Sequence, residues 1–188
     1  MIGYDFDKTI YNGDSTAHFI LYCLKRQPSL ARYAVIWGWY ALLWKVLHIK
    51  NKTQFKEKLY SYFKSIKDID DYVEDFWNKN FKNIKNWYLK QKREDDVIIS
   101  ASPEFLLFPA IKRLGLKHLM ASRVDKKTGK YEGENCWGEE KVRRFNAQMP
   151  EAVIESFYSD SRSDTPMAKI ATGKSYLVKG NNLIEWDT

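Results

Sequence analysis

The chain has 188 residues, of which 44% are hydrophobic and 29% are charged. This length suits one domain, or one domain with a modest insertion, and the composition excludes a disordered chain and a membrane channel. The two cysteines, Cys23 and Cys136, lie far apart in the sequence, which argues against a disulfide framework and a zinc site. We therefore expect a globular protein with reduced thiols. Because strand-like residues begin at Met1, a cytoplasmic location is the default expectation.

The first predicted element is a short apolar strand, residues 1–4, which ends in the polar sequence DFDKT. Open α/β sheets carry their active sites at the carboxyl ends of the strands. Asp5 and Asp7 are therefore candidates for covalent catalysis, in which one carboxylate attacks an electrophile and the other moves a proton. An Asp-x-Asp pair at a strand end is also common in turns and caps, so the pair alone leaves both interpretations open.

A helical pattern of apolar residues follows and predicts an all-helical insertion over residues 15–91. From Lys25 to Arg93 the chain has 16 Lys and Arg against 6 Asp and Glu, a net charge of +10. Of the 29 aromatic residues, 15 fall between Tyr33 and Tyr88. A basic, aromatic-rich block of this kind usually faces an anionic partner, which can be phosphate, nucleic acid or acidic lipid.

One stretch of the insertion, residues 34–44, has no charged residue. It is shorter than the ~20 residues that a membrane-spanning helix needs. Aromatic residues recur along it at helical spacing and form a stripe of Tyr33, Trp37, Tyr40 and Trp44. A helix that is apolar nearly all round is either buried or lies in a membrane interface. Both alternatives remain open: packing inside the insertion or against a second subunit, and contact with an anionic membrane.

A second buried strand is predicted at residues 97–99, followed by Ser100, Ala101 and a helix over residues 104–114 that ends at Gly115. A hydroxyl group and free backbone amides at such a turn can hold an anion. Ser100 is thus a candidate for anion binding, and the alternative is an ordinary helix cap. Residues 122–125 and 130–134 predict a hairpin.

The remaining candidates lie near a third predicted strand, residues 152–158. Asp160 and Asp164 follow this strand, and together with Asp5 they offer the oxygen ligands that Mg²⁺ prefers. The alternative for the two aspartates is an acidic helix N-terminus. Lys141, in the sequence GEEK, could be an ordinary solvated charge on a helix. Residues 175–178 predict a last strand. Strands that alternate with helices predict an α/β fold with a parallel sheet and helices on both faces.

Four motifs occur in a fixed order along the chain: DFDKT, IISAS, GEEK and YSDSRSD. Together they resemble the haloacid dehalogenase superfamily of phosphohydrolases, in the subfamily with a helical cap between the first two motifs. The resemblance implies a Rossmann-like three-layer core from residues 1–14 and 92–188, with residues 15–91 as the cap. It also implies hydrolysis of a phosphomonoester through an aspartyl-phosphate.

The resemblance also implies a role for each site residue. Asp5 would be the nucleophile, and Asp7 would be the acid for the leaving group and then the base for water. Asp5, Asp160 and the backbone carbonyl of Asp7 would bind Mg²⁺, supported by Asp164. The phosphate would be held by Ser100, the Ala101 amide and Lys141, with Thr9 steadying the loop. Ser159 departs from the family, in which many members have Gly before the aspartate, and we expect it to alter the turn but not the chemistry.

The cap selects the leaving group in this superfamily, and here its basic, Trp-rich character resembles C-type phosphatidylglycerophosphatases. This resemblance predicts a lipid phosphate substrate and a cytoplasmic enzyme in peripheral contact with the inner face of an anionic membrane. The alternative is a soluble-metabolite phosphatase similar to phosphoserine phosphatase, in which Asp14 stands where that enzyme has a substrate-contacting Glu. A nucleic-acid-binding module leaves all four motifs unexplained, so we expect no nucleic acid partner.

Overall fold

The computed structural model describes residues 1–35, 37–38 and 52–187. These residues form a six-stranded sheet in the order β3-β2-β1-β4-β5-β6. The strands are β1 (Ile2–Tyr4), β2 (Val97–Pro103), β3 (His118–Ser122), β4 (Ser156–Ser159), β5 (Tyr176–Lys179) and β6 (Asn182–Glu185). The first five strands are parallel, and β6 is antiparallel to β5. This confirms the predicted α/β fold.

The sheet has an apolar layer on each of its two faces. Along β2, Val97 and Ile99 pack in one hydrophobic cluster with Phe157, whereas Ile98 packs in the other cluster with Tyr4. Alternation is expected because successive side chains of a strand point to opposite faces. The sheet is therefore buried on both sides, as the continuous apolar sequence of β2 predicts.

Helices cover the sheet and fill the connections between its strands. They are α1 (Ser15–Arg26), α2 (Lys52–Leu59), α3 (Ile69–Asn80), α4 (Asn86–Gln91), α5 (Glu104–Leu114), α6 (Glu139–Gln148) and α7 (Thr165–Ile170). The α5 helix ends as predicted, because Gly115 has a φ of 69° and closes the helix in the left-handed region.

Between β1 and β2 the described residues contribute no strand to the sheet, which agrees with the predicted helical insertion. The insertion packs directly on the sheet layer through aromatic side chains. The Trp77 ring lies 5.9 Å from the Phe6 ring and 5.6 Å from the Tyr11 ring. Its indole Nε1 donates a hydrogen bond of 2.6 Å to the carbonyl of Leu106. One continuous hydrophobic cluster thus joins the insertion to the sheet.

The structure describes half of the predicted aromatic stripe. The Tyr33 hydroxyl lies 2.8 Å from Ser65 Oγ, and the Trp37 ring lies 5.7 Å from the Tyr62 ring. Both side chains are half-buried and pack within the insertion. Tyr40, Trp44 and most of the uncharged stretch lie outside the described residues. Among the described helices, none combines the length and apolar character needed to cross a bilayer.

Two predicted elements are shorter than expected. The third strand covers Ser156–Ser159 only, and the predicted hairpin reduces to a single bridge between Val124 and Tyr131. In the hairpin, the Asp125 carboxylate accepts hydrogen bonds from the turn, including one of 2.6 Å from the Thr128 amide. The Tyr131 amide donates to Glu57 of the insertion at 3.0 Å. Two backbone hydrogen bonds still cross the hairpin, from the Asp125 amide to the Lys130 carbonyl at 2.8 Å and from the Glu132 amide to the Arg123 carbonyl at 2.9 Å.

Candidate active site

A cavity of about 620 Å³ lies between the carboxyl ends of the central strands and the insertion. The predicted site residues that line it are Asp5, Asp7, Ser100, Ala101, Lys141, Asp160 and Asp164. They converge because β1, β2 and β4 are parallel neighbours and end at the same edge of the sheet. Lys141 reaches them from the first turn of α6. The structure therefore brings the chemistry-bearing residues of all four motifs to one place.

Lys141 lies at the centre of a buried network of charges. Its Nζ donates to Asp5 Oδ1 at 2.7 Å and to Asp164 Oδ2 at 2.7 Å. The Lys141 side chain is only 2% exposed. Two carboxylates this close would repel each other strongly in a low-dielectric site, so the ammonium is needed to hold both.

Burial and charge act in opposite directions on this network. Burial raises the pKa of Asp5 to about 7, although the Lys141 ammonium works to lower it. For Lys141, burial favours the neutral amine, but Asp5 and Asp164 outweigh this effect and raise its pKa above the ordinary value. The two carboxylates thus favour the charged form of Lys141, and a positive charge beside Asp5 favours its ionised, nucleophilic form.

Asp7 is held by hydrogen bonds at both carboxylate oxygens. The amide of Ser15, at the start of α1, donates to Oδ1 at 2.5 Å, and Ser102 Oγ donates to Oδ2 at 2.5 Å. Thr16 Oγ1 lies 3.0 Å from Ser102 Oγ. Burial, helped by the nearby Asp14 charge, raises the pKa of Asp7 despite these hydrogen bonds. A raised pKa suits a carboxyl group that must donate a proton.

Two further side chains connect the loops around the acids. Thr9 Oγ1 accepts a hydrogen bond of 2.9 Å from the Asp160 amide and lies 3.4 Å from Asp5 Oδ2. Ser159 Oγ donates to Asp164 Oδ2 at 2.7 Å. Ser159 therefore does more than shape the turn, because its hydroxyl contacts a carboxylate of the charged network.

The carboxylates fit Mg²⁺ in the chemistry of their donor atoms. Asp5, Asp160 and Asp164 offer only oxygen atoms, as Mg²⁺ prefers. Asp164 Oδ1 is buried and has no hydrogen-bond partner among the described residues. As arranged, however, no three acidic, His or Cys side chains of the described chain form a cluster that would enclose an ion. The carboxylate oxygens therefore fit Mg²⁺ chemically. In this arrangement, the Lys141 ammonium supplies the positive charge between Asp5 and Asp164.

The wall of the cavity opposite the acids is largely apolar. It is formed by Ile20 of α1, Phe55 and Leu59 of α2, the following Tyr60, and Trp137 of the loop before α6. The sequence patterns indicated the site acids but gave no sign of this wall. It could be identified only after the insertion was placed over the sheet edge.

Two charged side chains also lie at the insertion side of the cavity. Asp14 caps α1 by accepting a hydrogen bond of 2.9 Å from the Ala17 amide, and it lines the cavity as well. Lys56 of α2 donates to the carbonyl of Ala101 at 3.0 Å. Lys56, Ser102 and Thr16 were all missed as site residues, because their pairings depend on how the insertion is seated on the sheet.

Residues 2–169 match the family model of the haloacid dehalogenase-like hydrolases. The chain belongs to this family. The family predicted from the four motifs is thus confirmed, whereas the narrower relation to C-type phosphatidylglycerophosphatases remains a prediction.

Two curated relatives match part of the chain. A probable phosphatase of Mycobacterium tuberculosis is 37% identical over 91 residues, which cover 45% of this chain and 31% of the relative. Protein CicA of Caulobacter vibrioides is 32% identical over 88 residues, which cover 44% of this chain and 40% of the relative. The match thus spans only 31% to 40% of the length of these relatives.

Solved structures match over almost the whole chain. A Bordetella pertussis protein of unknown function has a TM-score of 0.75 at 20% identity, covering 94% of this chain and 88% of that one. A phospho-aspartyl intermediate analogue of phosphoserine phosphatase has a TM-score of 0.55 at 19% identity, with coverages of 94% and 84%. At these identities the structures support the fold alone.

Proposed function

We propose that this protein is a Mg²⁺-dependent phosphomonoester hydrolase that works through an aspartyl-phosphate. The observation that carries the proposal is the buried contact of Lys141 with both Asp5 and Asp164, beside a second carboxylate, Asp7, held at both oxygens. This arrangement combines a nucleophile, a cation for a transferring phosphoryl group and an acid for the leaving group. The family and the probable phosphatase among its relatives support the same reaction.

In the first step, the Asp5 carboxylate attacks phosphorus while the bond from phosphorus to the ester oxygen breaks. Asp7 protonates that oxygen, so the substrate leaves as an alcohol. In the second step, Asp7 takes a proton from water, the water oxygen attacks phosphorus, and the Asp5 carboxylate is released. The products are an alcohol and inorganic phosphate.

The phosphoryl oxygens carry negative charge throughout both steps. Lys141, the Ser100 hydroxyl and the Ala101 amide would hold them, since they line the same part of the cavity. Mg²⁺ would be held by the carboxylates of Asp5 and Asp160 and by the backbone carbonyl of Asp7, with Asp164 in support. The ion would offset the charge repulsion between the phosphate and the nucleophile.

For the leaving group we propose a lipid alcohol, as in phosphatidylglycerophosphate. The support is the apolar wall of Ile20, Phe55, Leu59, Tyr60 and Trp137. An amino acid leaving group would need ionic partners on this side of the cavity. On this side of the cavity, the Lys56 ammonium already donates to acceptors of the protein, and the Asp14 carboxylate already accepts from the Ala17 amide. A small polar phosphate ester, such as phosphoserine, is the alternative.

A lipid substrate calls for peripheral contact with an anionic membrane on the cytoplasmic side. The support is the net charge of +10 between Lys25 and Arg93 and the exposed Val35, which is 78% accessible. Tyr33 and Trp37 pack within the insertion, so the contact would use the exposed Val35 in their place. Each Lys or Arg close to an acidic bilayer adds on the order of 1 kcal/mol to binding.

The test is a phosphate-release screen paired with liposome flotation. The screen compares phosphatidylglycerophosphate in vesicles with phosphoserine and an aryl phosphate, each with Mg²⁺ and with EDTA. We expect hydrolysis that EDTA abolishes and Mg²⁺ restores, with the lipid phosphate preferred. Preference for phosphoserine would replace the lipid proposal, and an inactive protein with every ester would overturn the proposed reaction.

A further inference from the structure

Lys56 is a cavity residue whose contacts are not with the acids. Its Nζ donates to the backbone carbonyl of Ala101 at 3.0 Å and to Asn135 Oδ1 at 3.3 Å. Lys56 belongs to the helical insertion, whereas Ala101 lies near the end of the second strand of the sheet and Asn135 precedes α6. A single ammonium group thus joins the insertion to the turn that carries Ser100.

The Ala101 carbonyl belongs to a peptide group that also contacts Ser100. On one side of this peptide, the carbonyl accepts from Lys56 and, at 3.1 Å, from Ser122 Oγ. On the other side, the Ser102 amide donates to Ser100 Oγ at 3.2 Å. A peptide group is planar and trans, so its C=O and N–H point in opposite directions. Fixing the carbonyl therefore fixes the direction of the amide that contacts Ser100.

The α2 helix has other contacts with the core, so Lys56 is not its sole anchor. Glu57 Oε1 accepts from the Tyr131 amide at 3.0 Å, and the ring of Tyr60, just after α2, lies 6.2 Å from the Tyr131 ring. Removing the ammonium should leave this helix seated. The Lys56 contacts with Ala101 and Asn135 can thus be tested separately from the attachment of the insertion.

We propose that Lys56 is a positioning residue for phosphate binding, acting through the Ala101–Ser102 peptide on Ser100. This inference rests on the proposed function, since Ser100 is assigned to the phosphate there. Lys56 does not contact the phosphate itself. The Ala101 carbonyl accepts from Lys56 only when α2 lies over the sheet edge. The position of the insertion therefore affects the turn that carries Ser100.

A double-mutant cycle of Lys56→Met and Ser100→Ala tests this. Met keeps the apolar stem of the side chain but removes the donor. We expect Lys56→Met to lower kcat/KM and to weaken inhibition by inorganic phosphate, each about tenfold, as for loss of one hydrogen bond to a charged group. In the Ser100→Ala background the same change should have little effect, because residues that act through each other are not additive.

A second measurement keeps the inference testable without activity. Amide hydrogen exchange of Ser102 should accelerate in Lys56→Met and return toward wild type in Lys56→Arg, while Tyr131 keeps its protection. Lys64→Met, at an exposed position just beyond α2, is the matched control and should change nothing. Additive effects in an active enzyme, or unchanged Ser102 exchange, would overturn the role of Lys56. Loss of the proposed function would show instead as an inactive wild type.

Discussion

The two sides of the cavity are built in different ways. On the sheet side, charged groups are buried and held by short hydrogen bonds, such as those of 2.7 Å from Lys141 to Asp5 and Asp164. On the insertion side, the wall is mostly aliphatic and aromatic surface, with Asp14 and Lys56 as charged residues beside it. Removing one member of a buried ion network is strongly destabilising because a buried charge is left unpaired. Apolar surfaces tolerate changes of side-chain size in small steps.

The proposed reaction and the proposed choice of substrate therefore depend on different parts of the molecule. In the proposed function the reaction depends on the sheet side, because Asp5, Asp7 and Lys141 each have a fixed hydrogen-bond partner there. In the same proposal substrate choice would depend on the insertion side, where a side chain can change size without leaving an unpaired charge. Variants of the sheet side should therefore affect all substrates, and variants of the insertion side should affect some substrates more than others.

The largest effect is expected for Asp5→Asn. The amide cannot form the aspartyl-phosphate, so phosphate release should fall by roughly a thousandfold or more, the scale seen when a nucleophile is removed. The assay is phosphate release from an aryl ester. Asp95→Asn is the control, since this exposed carboxylate lies outside the cavity lining. Near-normal turnover by Asp5→Asn would contradict the proposed mechanism.

The next largest effect is expected for Lys141→Met. Turnover should fall by roughly a hundredfold for all esters, because the cation that offsets phosphoryl charge is removed. Removing one partner of a buried ion network also costs about 3–5 kcal/mol of unfolding free energy. Denaturant titration measures this decrease. Unchanged stability would mean that Asp5 and Asp164 do not depend on the ammonium.

For Asp7→Asn the effect should depend on the leaving group. Alkyl phosphates should lose about a hundredfold in kcat because their alcohols need the proton, while activated aryl phosphates should lose much less. The measurement is the ratio of the two rates in the variant and the wild type. Equal losses would exclude Asp7 as the acid.

A moderate effect is expected for Leu59→Ala on the apolar wall. Trimming this side chain should lower kcat/KM for a lipid phosphate by about tenfold, because the shorter side chain buries less apolar surface of the substrate. Hydrolysis of a small aryl phosphate should change little. If both activities fall together, Leu59 acts on the seating of the insertion and not on the leaving group.

The smallest effect is expected at the surface of the insertion. Val35→Glu should weaken flotation with anionic liposomes several-fold, because it places a negative charge at an exposed position of the basic segment. Its melting temperature should stay near that of the wild type. Trp37→Ala should instead lower the melting temperature and leave flotation near that of the wild type, since Trp37 packs against Tyr62. Equal flotation by wild type and Val35→Glu would remove this surface from the proposed membrane contact.

The sheet side of the cavity could be predicted from the sequence to a large extent. Polar residues after apolar strand runs indicated Asp5, Ser100 and Asp160, and parallel strands bring such positions to one edge. The fold class followed from the same alternation of strands and helices. These features are local, so a single segment of sequence contains the information needed for each.

The insertion side could not be predicted in the same way. Hydroxyl residues are common, and the sequence does not show that Ser102 reaches Asp7 or that Thr16 reaches Ser102. It also does not show that Lys56 reaches Ala101. Nor did the aromatic stripe indicate its direction, because a helix that is apolar nearly all round gives no preferred face. Tyr33 and Trp37 pack inward only because Ser65 and Tyr62 are placed there by the tertiary fold.

β1 lies in the middle of the sheet, so both of its partner strands are synthesised after it. β1 is the first strand of the sheet to be synthesised, yet Gly3 pairs with Val97 of β2 and Ile2 pairs with Ser156 of β4. Contacts so distant in sequence form slowly, since a long loop must close before they contribute. Asp5 is therefore synthesised before both strands that flank β1, and the sheet around it can form only after β4 has been made. Because Asp5 follows β1, Ser100 lies within β2 and Asp160 follows β4, the candidate site needs segments that are made far apart in time.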